Sequence, residues 1–198
     1  MTFLSRRRVL SLTAATAAPL SLTRAMPARS RGADADAYAD AGWAGEWPPP
    51  LREAVLRAMP AAVEYARAAA KWPYGAVLVD AATGAVVAGA GNTGESGDLT
   101  AHAETNLVRE ALAGGFELSE HVVVATAEPC PMCAGALVWG GVRGVAYGTS
   151  MAKLAGWGVP QIDVPADEIF RRARGLSRPA LASGVRADLT DPLYRERE

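Results

Sequence analysis

Two short stretches, far apart in the chain, constrain it most: His102-Ala103-Glu104 and Pro129-Cys130-Pro131-Met132-Cys133. One imidazole and two thiolates form a soft-to-borderline donor set that suits Zn²⁺ and leaves a fourth tetrahedral position open. Structural zinc sites close with four protein ligands, and neither cluster has a fourth nearby. An open position is the pattern of a catalytic metal. Glu104, two residues past the histidine, adds a carboxylate free to move protons beside it. Both cysteines of the chain lie in this C-x-x-C. A thioredoxin-type redox pair shares the spacing but needs no His-x-Glu partner.

The surrounding pattern places each cluster at the start of a helix. Pro48-Pro49-Pro50 suits a helix start, and apolar residues from Leu51 to Ala66 share one face of a helix reaching about Ala70, with a kink or break expected at Pro60. Tyr74 to Asp80 and Ala85 to Gly91 read as two strands of a hairpin around Ala81-Ala82-Thr83-Gly84. Thr100 is a candidate N-cap for a helix from Ala101 to Ala113, closed by Gly114-Gly115. His121 to Ala127 is a third strand, and a helix runs from near Cys130 to Trp139. Cysteines three apart on a helix start share one face and can hold one ion. Gly144 to Thr149 is a fourth strand. Beyond it the pattern weakens to one helix near 166–174 and a Pro/Gly/Arg-containing tail. Strands alternating with crossover helices imply a three-layer α/β/α sandwich with a mixed central sheet. His121, with no motif around it, reads as a partly exposed strand-edge residue, and Trp157 and Tyr194 read as core or tail packing.

H-x-E followed by P-C-x-x-C is the pattern of zinc deaminases, and on these residues the chain resembles the cytidine-deaminase superfamily. Within it, the likeness is to the branch of nucleobase, nucleoside and tRNA-adenosine deaminases, and it spans about 73–149. Pro73-Tyr74-Gly75-Ala76-Val77 resembles the first strand of guanine and nucleoside deaminases. Thr100 to Glu104 and Glu128 to Cys133 match the two metal motifs. The resemblance implies a cytidine-deaminase-like fold, zinc on His102, Cys130 and Cys133, and Glu104 as the proton shuttle. It also implies that Asn92 hydrogen-bonds the base and that Ala103 is small enough for its backbone N–H to approach it. Ala136 to Trp139 resembles the stretch where guanine deaminases place a tryptophan near the purine, with helix-end packing as the alternative role for Trp139. A homodimer is implied as well. One departure bears on substrate: bacterial guanine deaminases carry an aspartate after the fourth strand, whereas Ser150 to Leu154 offers no acid here.

Length and charge narrow the partners. At 198 residues, half of them hydrophobic, the chain suits one well-buried α/β domain, here 49–198. Residues 1–28 read as a twin-arginine signal peptide: Ser5-Arg6-Arg7-Arg8-Val9-Leu10, then a moderately apolar run too short and weak to span a bilayer. Residues 29–48 read as a flexible leader. The expected location is therefore exported, periplasmic or extracellular, with no membrane in the mature form. Removing the four arginines of 1–28 takes the net charge from −1 to about −5, which gives no electrostatic footprint for nucleic acid. A small-molecule nucleobase or nucleoside is the favoured partner. A tRNA adenosine deaminase is the alternative enzyme, and a non-catalytic zinc-binding protein the alternative class, although Glu104 would be superfluous in it.

Overall fold

Valine-rich strands that are apolar on both faces must be covered on both faces, and this requirement sets the architecture. The computed structural model describes residues 41–69 and 71–195. The expected signal peptide lies outside them, as does most of the leader. In chain order the elements are β1 (Gly42–Ala44), α1 (Pro49–Ala68), β2 (Gly75–Asp80), β3 (Val86–Gly91), α2 (Ala103–Ala113), β4 (His121–Ala127), α3 (Pro131–Gly140) and β5 (Gly144–Thr149). The chain continues through α4 (Met151–Gly156), α5 (Ala166–Arg172), β6 (Ala180–Ser183), α6 (Ala187–Thr190) and α7 (Pro192–Arg195). The six strands form one mixed sheet in the order β1-β6-β5-β4-β2-β3. β4, β5 and β6 are parallel neighbours, while β1, β2 and β3 pair antiparallel.

Alternation along each strand divides the core in two. Val77 and Val79 of β2, with Val122 and Val124 of β4, pack with Val55 and Met59 of α1. Leu78 and Val123 face the other way, onto Leu107 of α2, Leu137 of α3 and Phe170 of α5. The three-layer sandwich expected from the sequence is the observed fold. Gly75 is dictated by the close approach of α1, because a Cβ there would collide with the carbonyl of Ala62.

Several expectations are corrected. α1 runs unbroken through Pro60, whose ring sits on the exposed side. The leader does not extend to residue 48 as a flexible segment: Gly42–Ala44 pairs with Ser183–Leu181 as an edge strand, and Trp47 is buried. Thr100 is not the N-cap of α2; that position is His102, with extended backbone at φ −71° and ψ 157°. His121 is buried rather than partly exposed, its Nδ1 lying 2.7 Å from the Glu117 carbonyl. The tail is an integral part of the domain, with β6 in the sheet and Tyr194 buried. Among the described residues, no helix is long and apolar enough to cross a membrane.

Candidate active site

The site forms where α2 and α3 begin, at the C-terminal end of β4. His102 is the N-cap residue of α2, Cys130 is the N-cap residue of α3, and Cys133 lies in the first turn of α3. Neighbouring polar groups fix the approach to His102. Thr105 Oγ1 lies 2.8 Å from the Thr100 carbonyl and 2.9 Å from the His102 carbonyl, and donates to them. Asn106 Nδ2 donates to the carbonyls of Gly91 (3.0 Å) and Ala101 (3.2 Å), tying the loop after β3 to the helix. Sequence reasoning missed both, because their partners are backbone groups with no pattern of their own.

His102, Cys130 and Cys133 each present a ligand atom, and all three atoms lie within 4.8 Å of one another. His102 Nδ1 is 3.6 Å from Cys130 Sγ and 3.5 Å from Cys133 Sγ. Zn–S and Zn–N bonds of ordinary length, at a tetrahedral angle, require an N···S edge of about 3.5 Å. The donor set therefore fits zinc in both chemistry and spacing. Without the metal, the thiols share a proton. Cys130 is pulled down to about 4, chiefly because its thiolate accepts a hydrogen bond from Cys133, while Cys133, as that donor, is pushed far up. His102 is raised, first by its hydrogen bond to Cys130.

Glu104 is buried beside this set, and burial, followed by the negative charge of Cys130, lifts its carboxyl to about 7. A buried carboxyl beside the metal position is placed to accept and return protons. His102, Glu104, Cys130 and Glu128 line the metal end of a pocket of about 310 Å³. Trp72, Tyr74, Asn92 and Leu99 line the rest of it together with Leu154, Val159, Pro160 and Gln161 from the segment after β5. Asn92 is buried, and its Oδ1 accepts the Gly94 N–H at 2.8 Å, which leaves the amide nitrogen as its free donor. Tyr74 is backed by Tyr194, with ring centroids 5.0 Å apart.

The other expected site residues fall differently. Ala103 is buried and does not line the pocket; only its backbone could meet a ligand. Trp139 is 78% exposed and is not a pocket residue. It lies six residues beyond Cys133, about 9 Å along the axis of α3 and turned away from it. It does not pack at the helix end either. Trp157 and Tyr194 stay out of the pocket, as expected. Ser150 accepts a hydrogen bond from the Lys153 amide at the start of α4, and Asp163 is exposed, so neither supplies the acid missing after β5. Trp72, Leu99 and Gln161 escaped the sequence reading because they come from loops without a motif.

A His/Cys/Cys metal set with a buried glutamate, held between helices on a mixed sheet, defines a zinc-dependent hydrolase site. Residues 50–149 match the cytidine and deoxycytidylate deaminase zinc-binding region. The chain belongs to that family of zinc deaminases, hydrolases that act on C–N bonds. It is 36% identical to the guanine deaminase of Bacillus subtilis over 121 residues, covering 57% of this chain and 76% of that one. It is 44% identical to the tRNA-specific adenosine deaminase of Agrobacterium fabrum over 85 residues, 41% of this chain and 54% of the relative, so it spans little more than half of that protein. A tRNA:A34 deaminase studied for A-to-I editing at the wobble position superposes with a TM-score of 0.58 at 31% identity, covering 69% of this chain and 98% of its own.

Proposed function

We propose that this chain deaminates a purine nucleobase or nucleoside, guanine or a close relative, and releases ammonia. The observation that carries the reading is the buried Glu104 beside His102, Cys130 and Cys133 at the end of a pocket of about 310 Å³. That volume is at the small end for ligand sites and suits a single base. When bound, zinc makes a water nucleophilic at neutral pH. Glu104 would accept the two protons of that water in turn, passing the first to the ring nitrogen and the second, from the oxygen added to the ring, to the amine that leaves as ammonia. Asn92, its Oδ1 already committed, donates from its amide to a ring acceptor. Tyr74 and Trp72 offer aromatic faces to a flat heterocycle.

A second reading, deamination of adenosine in tRNA, is favoured by the likeness to tRNA deaminases over much of the chain. The acidic charge after residue 28 opposes it. Ammonia release from guanine, adenine, cytosine and their nucleosides, alongside inosine formation in tRNA, separates the two. Turnover of a free purine at least ten times faster than that of tRNA is expected, and activity confined to tRNA would reverse the assignment. A homodimer is also proposed. The outer face of α3 supports it, presenting Met132 and Trp139 to solvent with no charged residue between them.

We infer further that the protein is exported in folded form by the twin-arginine route. The support is Ser5-Arg6-Arg7-Arg8-Val9-Leu10 together with a metal site that uses both cysteines. Arg6→Lys with Arg7→Lys should leave the precursor in the cytoplasm. Fractionation of tagged protein tests this, and an unchanged exported fraction would contradict it.

A further inference from the structure

Glu128 lies two residues before Cys130 and lines the pocket, yet it is only 8% exposed and both its oxygens are occupied. Oε2 accepts the Met151 N–H at 2.8 Å, and Oε1 accepts the Ala166 N–H at 3.0 Å. These amides open α4 and α5, so one carboxyl group closes both ends of the segment 151–166. Helices of six and seven residues, under two turns each, do not hold their own place. α5 is preceded by Pro165, which has no side-chain acceptor, so Glu128 supplies what an N-cap residue would. Between the two pinned ends, the segment contributes Leu154, Val159, Pro160 and Gln161 to the pocket. A salt bridge from Lys153 to Asp191 at 2.7 Å, the Arg195 guanidinium 5.1 Å from the Trp157 ring and the burial of Ala166 and Phe170 in the core also hold the segment, but none of these caps the first amide of α5.

We propose that Glu128 is a positioning residue for the substrate, setting the distance between the wall formed by 151–166 and the metal-binding floor. The covalent link through Pro129 to Cys130 places the floor, and the two hydrogen bonds place the wall relative to it. This rests on the reading of the pocket as the substrate site. The sequence alone could not reveal the arrangement, because the two partners are backbone groups 23 and 38 residues further along.

In the full-length, zinc-loaded protein, Glu128→Gln keeps one acceptor but turns an NH₂ donor toward the other amide, so one end of the segment is released. KM for the best purine should rise about ten-fold, with kcat within about three-fold and zinc still at one per chain. Glu128→Asp should recover part of the loss. Ala166→Pro removes one donor and sets the ring Cδ against Glu128 Oε1, so it breaks the α5 end of the brace while leaving the residues of the metal loop unchanged. Proline fits the first helical position, and Pro165, at φ −68° and ψ 153°, already has the extended backbone that must precede it. It should raise KM in the same way. Unchanged KM in both variants would overturn the proposal. So would zinc loss in Glu128→Gln with a normal Ala166→Pro, which would make Glu128 a support of the metal loop. Hydrogen exchange at 151–166 reads the brace without turnover, and unchanged exchange in Glu128→Gln would overturn it. Faster exchange in a chain whose wild type is inert on every base would instead reject the deaminase reading and leave the brace standing.

Discussion

Glu104→Ala should bind zinc at the wild-type level and lose ~10²–10⁴-fold in turnover, the usual contribution of a positioned acid–base group. The expectation follows from where Glu104 lies. It is not one of the three ligand atoms that converge on the metal position, but it is buried beside them, and that burial raises its carboxyl to about 7. Deleting it removes the group that moves protons while His102, Cys130 and Cys133 remain. Glu104→Gln keeps the size and one hydrogen bond but cannot shuttle a proton, so it should fail almost as badly. The measurement is ammonia release at equal zinc content. Equal rates for wild type and Glu104→Ala would place the chemistry elsewhere.

Cys130→Ala or Cys133→Ala should abolish stoichiometric zinc and, with it, activity. Three ligands are the minimum set here, and the geometry that fits zinc depends on both N···S edges near 3.5 Å. Zinc binds the folded chain, so its loss is also a loss of stability. At free zinc ~1,000 times the dissociation constant, linkage contributes about 4 kcal/mol. In a domain of this size, that corresponds to roughly 8–16 °C in Tm. Elemental analysis and a thermal scan check both effects; a variant holding one zinc per chain at unchanged Tm would contradict them. Acid should act in the same direction. Zinc must displace the proton held by Cys133 and the one favoured on His102, both of which are raised in the metal-free chain. Retention therefore weakens as pH falls, which zinc content after dialysis at decreasing pH checks.

The central elements were legible in the sequence because their patterns are local. β4 and β5 have the boundaries that their apolar runs between turn residues imply, and the hairpin turn is held by Asp80 Oδ1 accepting from Ala82, Thr83 and the Thr83 hydroxyl. The metal ligands were legible because zinc needs particular atoms at particular spacings. β1 and β6 were not. Gly-Trp-Ala and Ala-Leu-Ala-Ser are short and weak in strand propensity, and they are strands because they pair with each other across about 140 residues of chain and, for β6, with β5. The part of the pocket lining that follows β5 was hidden for the same kind of reason, since Val159, Pro160 and Gln161 are brought to the pocket by Glu128 and not by any periodicity. Trp139 lies on the exposed face of α3, outside the pocket lining; a resemblance in sequence does not fix which face of a helix carries a residue.

The most direct test of the account is ammonia release measured against zinc content. Protein stripped by chelation would be reloaded in steps from zero to one zinc per chain and assayed on guanine and the other purines. Activity should be absent in the stripped protein, rise in proportion to zinc and level off at one equivalent. Full turnover by zinc-free protein, or none at one zinc per chain on any base, nucleoside or tRNA, would contradict zinc-dependent deamination at His102, Cys130 and Cys133.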